Sequence, residues 1–176
     1  MAYVTFSFLQ NKKDFLEERA SSTETQMVYV PNRTRIFLSH RHNDEKVVLA
    51  IKGYLYDQGI EVYIDWLDPS MPKITNADTA KNLKDRLREA KRFILLATDN
   101  SLQSIWIPWE LGLADGIKGM ESIAIMPITK DPYNWKEREY YRIYNTLKIG
   151  ESGGLEIFYP NNIKGIPLRD WINIFV

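Results

Sequence analysis

The residues best suited to chemistry lie in Ser101-Leu102-Gln103-Ser104-Ile105-Trp106-Ile107-Pro108-Trp109-Glu110-Leu111-Gly112. Proline has no N–H and fits a helix best in its first turn, so Pro108 predicts a helix start near Trp106. Glu110 then sits about one turn inside the helix. Trp106, four residues earlier, shares its face. That face runs on through Leu113 and Ile117, which makes Glu110 a lone carboxylate on an apolar stripe. Burial would raise its pKa, and the helix N-terminus would favour its anion. Two readings stay open: a functional carboxylate, or a first-turn glutamate that only complements the helix dipole.

Two other segments carry polar groups in a suggestive order. Ser39-His40-Arg41-His42-Asn43 follows a short apolar run, and Arg41 has the fork geometry to pair with a diphosphate. His40-x-His42 could hold a metal, but these are the only histidines and there is no cysteine to complete a site. No metal site is therefore expected, and the same loop also reads as an exposed cap for the helix after Asp44. Asp65-Trp66-Leu67-Asp68-Pro69-Ser70-Met71-Pro72-Lys73-Ile74 contains two prolines, which exclude a regular helix or strand. Trp66 and Met71 fit either an exposed contact surface or packing against a sheet edge.

These segments need elements to position them, and the chain alternates accordingly. Strands are predicted at 35–39, 60–64, 92–97, 122–128 and 155–158. Helices are predicted after Asp44, along Ala80-Leu83-Leu87-Ala90, over 106–118, over 133–148 and over 167–175. Arg92-Phe93-Ile94-Leu95-Leu96-Ala97 is apolar on both faces, as a buried parallel strand is. Alternation with short connections predicts an α/β fold: a central parallel sheet of about five strands with helices on both faces. In such sheets ligands bind at the carboxyl ends of the strands, which singles out the loops 39–43, 65–75 and 98–104. Residues 1–30 read as an N-terminal extension packed on a domain of residues 31–176.

Composition narrows the function. The chain has 176 residues, with 44% hydrophobic and 26% charged, which is ordinary globular usage. Lys plus Arg equals Asp plus Glu at 23 each, so nucleic acid is not the expected partner. The absence of cysteine fits a reducing compartment. No signal peptide or membrane-spanning run is visible, so a soluble cytoplasmic protein with no membrane partner is expected. No G-x-G-x-x-G, Walker loop or G-x-S-x-G occurs. The neutral total hides poles. Residues 31–42 hold Arg33, Arg35 and Arg41 and no acid. Residues 99–115 hold Asp99, Glu110 and Asp115 and no Lys or Arg.

One ordered set of residues is specific. It runs Ile36-Phe37-Leu38-Ser39-His40-Arg41 with Asp44, Gly59-Ile60-Glu61-Val62-Tyr63-Ile64-Asp65, Ser101 and Ser104 before Trp106, and Trp109-Glu110-Leu111-Gly112. It resembles a Toll/interleukin-1 receptor (TIR) domain, in particular the stand-alone bacterial NAD-consuming type of Thoeris-like antiphage systems. The likeness spans roughly residues 33–130. It implies a flavodoxin-like TIR fold over 31–176 and cleavage of the nicotinamide–ribose bond of NAD+. It implies Glu110 as the catalytic residue and Ser39, His40, Arg41, Asp68, Ser70 and Trp106 as substrate contacts. NAD+ would be the substrate, with no separate cofactor. Self-association with other TIR subunits, and a separate effector reached through a diffusible ADP-ribose-derived nucleotide, are further implications. This chain has His40 where the family often has tyrosine or phenylalanine, and it lacks the family's frequent glycine in the 65–74 loop.

The residue types suit that reaction on their own terms. Nicotinamide leaves as a neutral pyridine and needs no general acid. The transition state resembles an oxocarbenium ion, which one carboxylate beneath the ribose can stabilise. A tryptophan can stack on a flat ring. A non-catalytic TIR interaction module and a nucleoside ribosyl-transfer enzyme are the alternatives.

Overall fold

The computed structural model describes residues 1–11, 35–72, 74 and 76–174. The expected boundary at residues 30/31, and Arg33 with it, lies outside the described residues. The elements are β1 (Val4–Thr5), α1 (6–11), β2 (Arg35–Ser39), α2 (Glu45–Asp57), β3 (Glu61–Tyr63), α3 (Ala77–Glu89) and β4 (Arg92–Ala97). They continue with α4 (Trp106–Lys118), β5 (Ile123–Thr129), β6 (Asn145–Ile149), β7 (Leu155–Phe158), β8 (Ile166–Pro167) and α5 (Leu168–Asn173).

Five parallel strands form the centre of the sheet, in the order β3-β2-β4-β5-β6. Counting only these five, the order is 2-1-3-4-5, which is that of flavodoxin-like folds. β7 and β8 extend the β6 edge antiparallel. β1 pairs parallel with the end of β5, Val4 opposite Ile128, so the first residues of the chain add to the sheet. The expected central parallel sheet of about five strands is thus present, and among the described residues three short strands add to it.

The apolar pattern of β4 explains the layers. Ile94 and Leu96 face one core with Val48, Ile51 and Leu55 of α2 and Leu168, Trp171 and Ile172 of α5. Phe93, Leu95 and Ala97 face the other, with Leu83 and Leu87 of α3 and Ile107, Leu111 and Ala114 of α4. A strand buried on both sides has no polar face, which is why β4 reads as a continuous apolar run. Gly59 closes α2 at φ +74°, a left-handed turn that glycine adopts without a Cβ penalty.

One predicted helix is absent. Residues 133–148 hold a 3-10 turn at Glu139–Ile143 and then β6. The spacing of Tyr140, Tyr141 and Tyr144 mimics a helix stripe. In the fold, Tyr141 and Tyr144 are buried, and Trp135 lies parallel to the Tyr141 ring at 6.0 Å. Asn145 and Leu147 alternate inward, and Asn145 donates to the carbonyls of Glu121 and Ile123. Pairing with β5 and β7 outweighs local helix propensity here. The expected fifth parallel strand at 155–158 is the antiparallel β7 instead.

Candidate active site

In the five-strand order the chain reverses direction between β2 and β4, the place where open parallel sheets form a crevice. The loops after β2 and β4 meet there. Ser39 is the last residue of β2 and Glu110 lies on the second turn of α4. Their side chains, 71 positions apart, meet across the sheet edge, with Ser39 Oγ donating to Glu110 Oε2 at 2.6 Å. Ser104 Oγ accepts from the Ile107 amide at 3.3 Å and so helps satisfy the helix start.

Glu110 is only 7% exposed. Burial pushes its carboxyl up to about 8; the Ser39 hydrogen bond opposes the rise, and the Asp65 charge adds to it. A glutamate that merely complemented a helix dipole would sit in water and keep an ordinary pKa. The functional reading of this position is the one its environment favours.

A cavity of about 420 Å³ opens beside Glu110. His40, Arg41 and Trp106 line it, as do Asp65, Thr79 and Leu83. Arg41 Nη1 donates to the Asn100 carbonyl at 3.0 Å, which holds the guanidinium at the rim. His40 Nδ1 lies 2.7 Å from the Leu38 carbonyl, and its Nε2 lies 3.3 Å from Asp65 Oδ1. Burial pushes the imidazole pKa down, against the opposing pull of Asp65. Trp106 meets Trp109 edge-on at 5.4 Å.

Asp44 does something the sequence did not suggest. It was expected to cap α2, but its side chain makes no cap hydrogen bond. It is buried and accepts from Thr98 Oγ1 and Asn100 Nδ2, both at 2.6 Å. The carboxylate ties the loop after β2, which carries Arg41, to the loop after β4, which leads into α4.

Of the residues expected to contact substrate, Glu110, His40, Arg41 and Trp106 line one cavity and Ser39 bonds directly to Glu110. Asp68 and Ser70 do not line it. Asp68 accepts from Ser70 N and Oγ at 2.9 and 2.6 Å, from Tyr63 OH at 3.1 Å and from Arg86 Nε at 2.8 Å. Burial raises its carboxyl, but the bonds from Ser70, Arg86 and Tyr63 outweigh this and hold it at about 2. Trp66 is half-buried, with His40 edge-on at 4.3 Å, and Met71 packs on the α3–α4 core. The exposed apolar groups of this segment are Leu67 and Ile74, the latter 81% exposed.

Asp65, Thr79 and Leu83 carried no assigned role in the sequence. For Asp65 a signal existed: it directly follows the strand predicted at 60–64, at a carboxyl end. The charge poles also contract. Asp115 accepts from Tyr144 OH at 3.1 Å, away from the described cavity, so of the described groups in those two runs only Arg41 and Glu110 line it. Among the described residues no group of three His, Asp or Glu side chains could hold a metal ion, and no helix is long and apolar enough to cross a membrane.

Residues 36–149 match the TIR domain family. The chain is 33% identical to a probable 3′ cyclic ADP-D-ribose synthase of Bacillus cereus, over 95% of this chain and 87% of that protein. It is 29% identical to a putative cyclic ADP-D-ribose synthase of Cytobacillus dafuensis, over 62% of this chain and 29% of that one. The crystal structure of a Toll-related receptor TIR domain from Hydra magnipapillata matches with a TM-score of 0.45 at 16% identity, over 63% of this chain and 82% of that one. With the family match covering every residue that lines the switch-point cavity, the chain belongs to the TIR domain family.

Proposed function

We propose that this protein cleaves the nicotinamide–ribose bond of NAD+ and transfers the ADP-ribosyl group to a hydroxyl. The observation that carries the reading is Glu110: a buried carboxyl at the switch point, held by Ser39 and open to a cavity with Arg41 and Trp106 on its walls. The similarity to a probable 3′ cyclic ADP-D-ribose synthase supports it and favours cyclisation onto the substrate's own adenylate over simple hydrolysis.

The geometry accounts for the chemistry in steps. Trp106 offers a flat face to the nicotinamide ring. Arg41 sits where the diphosphate would leave the cavity, with donors beyond the one given to Asn100. At neutral pH the buried Glu110 carboxyl is mainly protonated, because burial pushes its pKa up to about 8. A cationic nicotinamide ribosyl group entering beside it favours the carboxylate, so substrate arrival releases the Glu110 proton to solvent and leaves the anion that stabilises the developing oxocarbenium ion. Ser39 assists by donating to the anion.

The product would be an ADP-ribose-derived signalling nucleotide that acts on a separate effector in antiphage defence, in a cytoplasmic setting. Self-association fits the exposed apolar groups at the rim, Ile105 at 85% exposure and Ile74 on the 65–74 segment. The test is nicotinamide release from NAD+ by wild type and Glu110→Gln at matched, high protein concentration, with the product identified by mass. A wild type that releases no nicotinamide even when forced to self-associate, or a Gln variant as fast as wild type, removes the enzyme reading. The interaction-module reading would then stand.

A further inference from the structure

This inference rests on the transfer reaction proposed above, which has one proton to place. Nicotinamide leaves neutral and takes none. The incoming hydroxyl, on water or on the adenylate ribose, must lose its proton as its oxygen bonds to the ribosyl carbon. Glu110 is occupied with the developing cation.

A second carboxylate faces the same cavity. Asp65 lines it, with its side chain 43% exposed. Its Oδ1 accepts from the Trp66 amide at 2.9 Å and lies 3.3 Å from His40 Nε2. Oδ2 has no hydrogen-bond partner among the described residues.

His40 makes the arrangement directional. The Leu38 carbonyl can only accept, so Nδ1 carries the N–H at that 2.7 Å contact. In a neutral ring Nε2 is then a bare lone pair set against a carboxylate oxygen. The contact is unfavourable until one proton arrives, and then becomes a charge-assisted hydrogen bond. The ring is locked: its side chain is 5% exposed and meets Trp66 edge-on at 4.3 Å. The ionisable groups that act on it are Asp65, His42 and Asp44. Burial lowers its pKa, which keeps the ring neutral and able to receive.

We propose that the His40–Asp65 pair is the proton acceptor of the transfer step, taking the proton of the attacking hydroxyl. The C–N bond breaks with its electron pair leaving on nicotinamide. The hydroxyl oxygen bonds to the ribosyl carbon. Its proton passes to Asp65 and is shared with His40 Nε2, so the pair changes from net negative to neutral. Exposed Asp65 returns the proton to solvent when product leaves.

The test separates acceptors by whether they carry a proton. A neutral pyridine attacks through a bare nitrogen and has none to lose. Wild type, Asp65→Asn, His40→Phe and Glu110→Gln are each assayed with NAD+ alone, and with NAD+ plus 3-acetylpyridine. Asp65→Asn should lose transfer to hydroxyl acceptors by about a hundredfold or more while base exchange stays within about threefold. His40→Phe, which keeps a ring edge on Trp66, should lose about tenfold more on hydroxyl acceptors than on exchange. Glu110→Gln should lose both reactions. The proposal is overturned if Asp65→Asn transfers to hydroxyls at the wild-type rate, or if it loses exchange in parallel while its thermal unfolding is unchanged. A wild type that neither releases nor exchanges nicotinamide overturns the reading of Glu110, and the inference falls with it.

Discussion

Two carboxylates near the same sheet edge meet opposite environments. Glu110 is buried with one side-chain donor among the described residues, Ser39, and its pKa is pushed up to about 8. Asp68 receives four hydrogen bonds, one from a guanidinium, and is held at about 2. The first is an under-solvated group whose charge state changes when a cation arrives. The second is a saturated anion that anchors the 65–74 segment to α3 through Arg86. Environments that push carboxyl pKa values apart mark different roles, one chemical and one structural. Exchanging their hydrogen-bond supply should exchange their sensitivity to substitution.

The largest contrast comes from neutralising each in turn. Glu110→Gln should reduce NAD+ cleavage by about a thousandfold, the scale of losing one electrostatic partner of a transition state. Its effect on stability should have the opposite sign. A folded pKa raised from 4.5 towards 8 means the stability contribution is full below pH 4.5 and is lost as pH rises through about 8. At pH 9 the Gln variant should therefore unfold at higher temperature than wild type, and near pH 5 the difference should shrink. Calorimetry at the two pH values measures this. A Gln variant less stable at pH 9 than wild type would mean Glu110 is satisfied as an anion, and the contrast with Asp68 would collapse.

Asp68→Asn should do the reverse. It weakens the Arg86 and Ser70 bonds, at a cost of about 2 kcal/mol in folding stability at neutral pH. The sign follows from a depressed pKa: the contribution is present above 3.8 and is lost as pH falls through about 2. Denaturant titrations at pH 7 and pH 2.5 should show the gap between variant and wild type narrowing on acidification. Activity per folded molecule should change far less than in Glu110→Gln. A loss of activity with stability intact would return Asp68 to the substrate-contacting role that its sequence position suggested.

What could be read in advance divides along the same line. The parallel strands from β2 to β5 were legible because they are short apolar runs bounded by turns, and Pro108 marked the start of α4. Glu110 and Trp106 were legible through their spacing on that helix. The Asp44 bonds to Thr98 and Asn100 were not, because those partners lie 54 and 56 residues away and no local period reports them. Asp65 was visible only as the end of a strand; its contact with His40 depends on how the loops after β2 and β3 approach each other. β6 was hidden because its neighbours Tyr140, Tyr141 and Tyr144 imitate a helical stripe. Pairing partners on both sides, not local propensity, make Asn145–Ile149 a strand.

The finest test of the comparison keeps Glu110 and alters only its hydrogen-bond supply. Ser39→Ala removes the donor at 2.6 Å and leaves a small, buried side chain that β2 accommodates. The Ser39 bond lowers the Glu110 pKa against burial, so its loss should push that pKa higher still. With kcat/KM dependent on ionised Glu110, the rate should fall about tenfold at pH 7 and recover as pH rises, since a one-unit shift is one factor of ten below the pKa. The pH profile of kcat/KM should keep its plateau and move to the alkaline side. A uniform loss at every pH would instead mean that Ser39 touches substrate directly. In that case the donor that steadies the Glu110 anion would have to be sought among the other groups of the cavity.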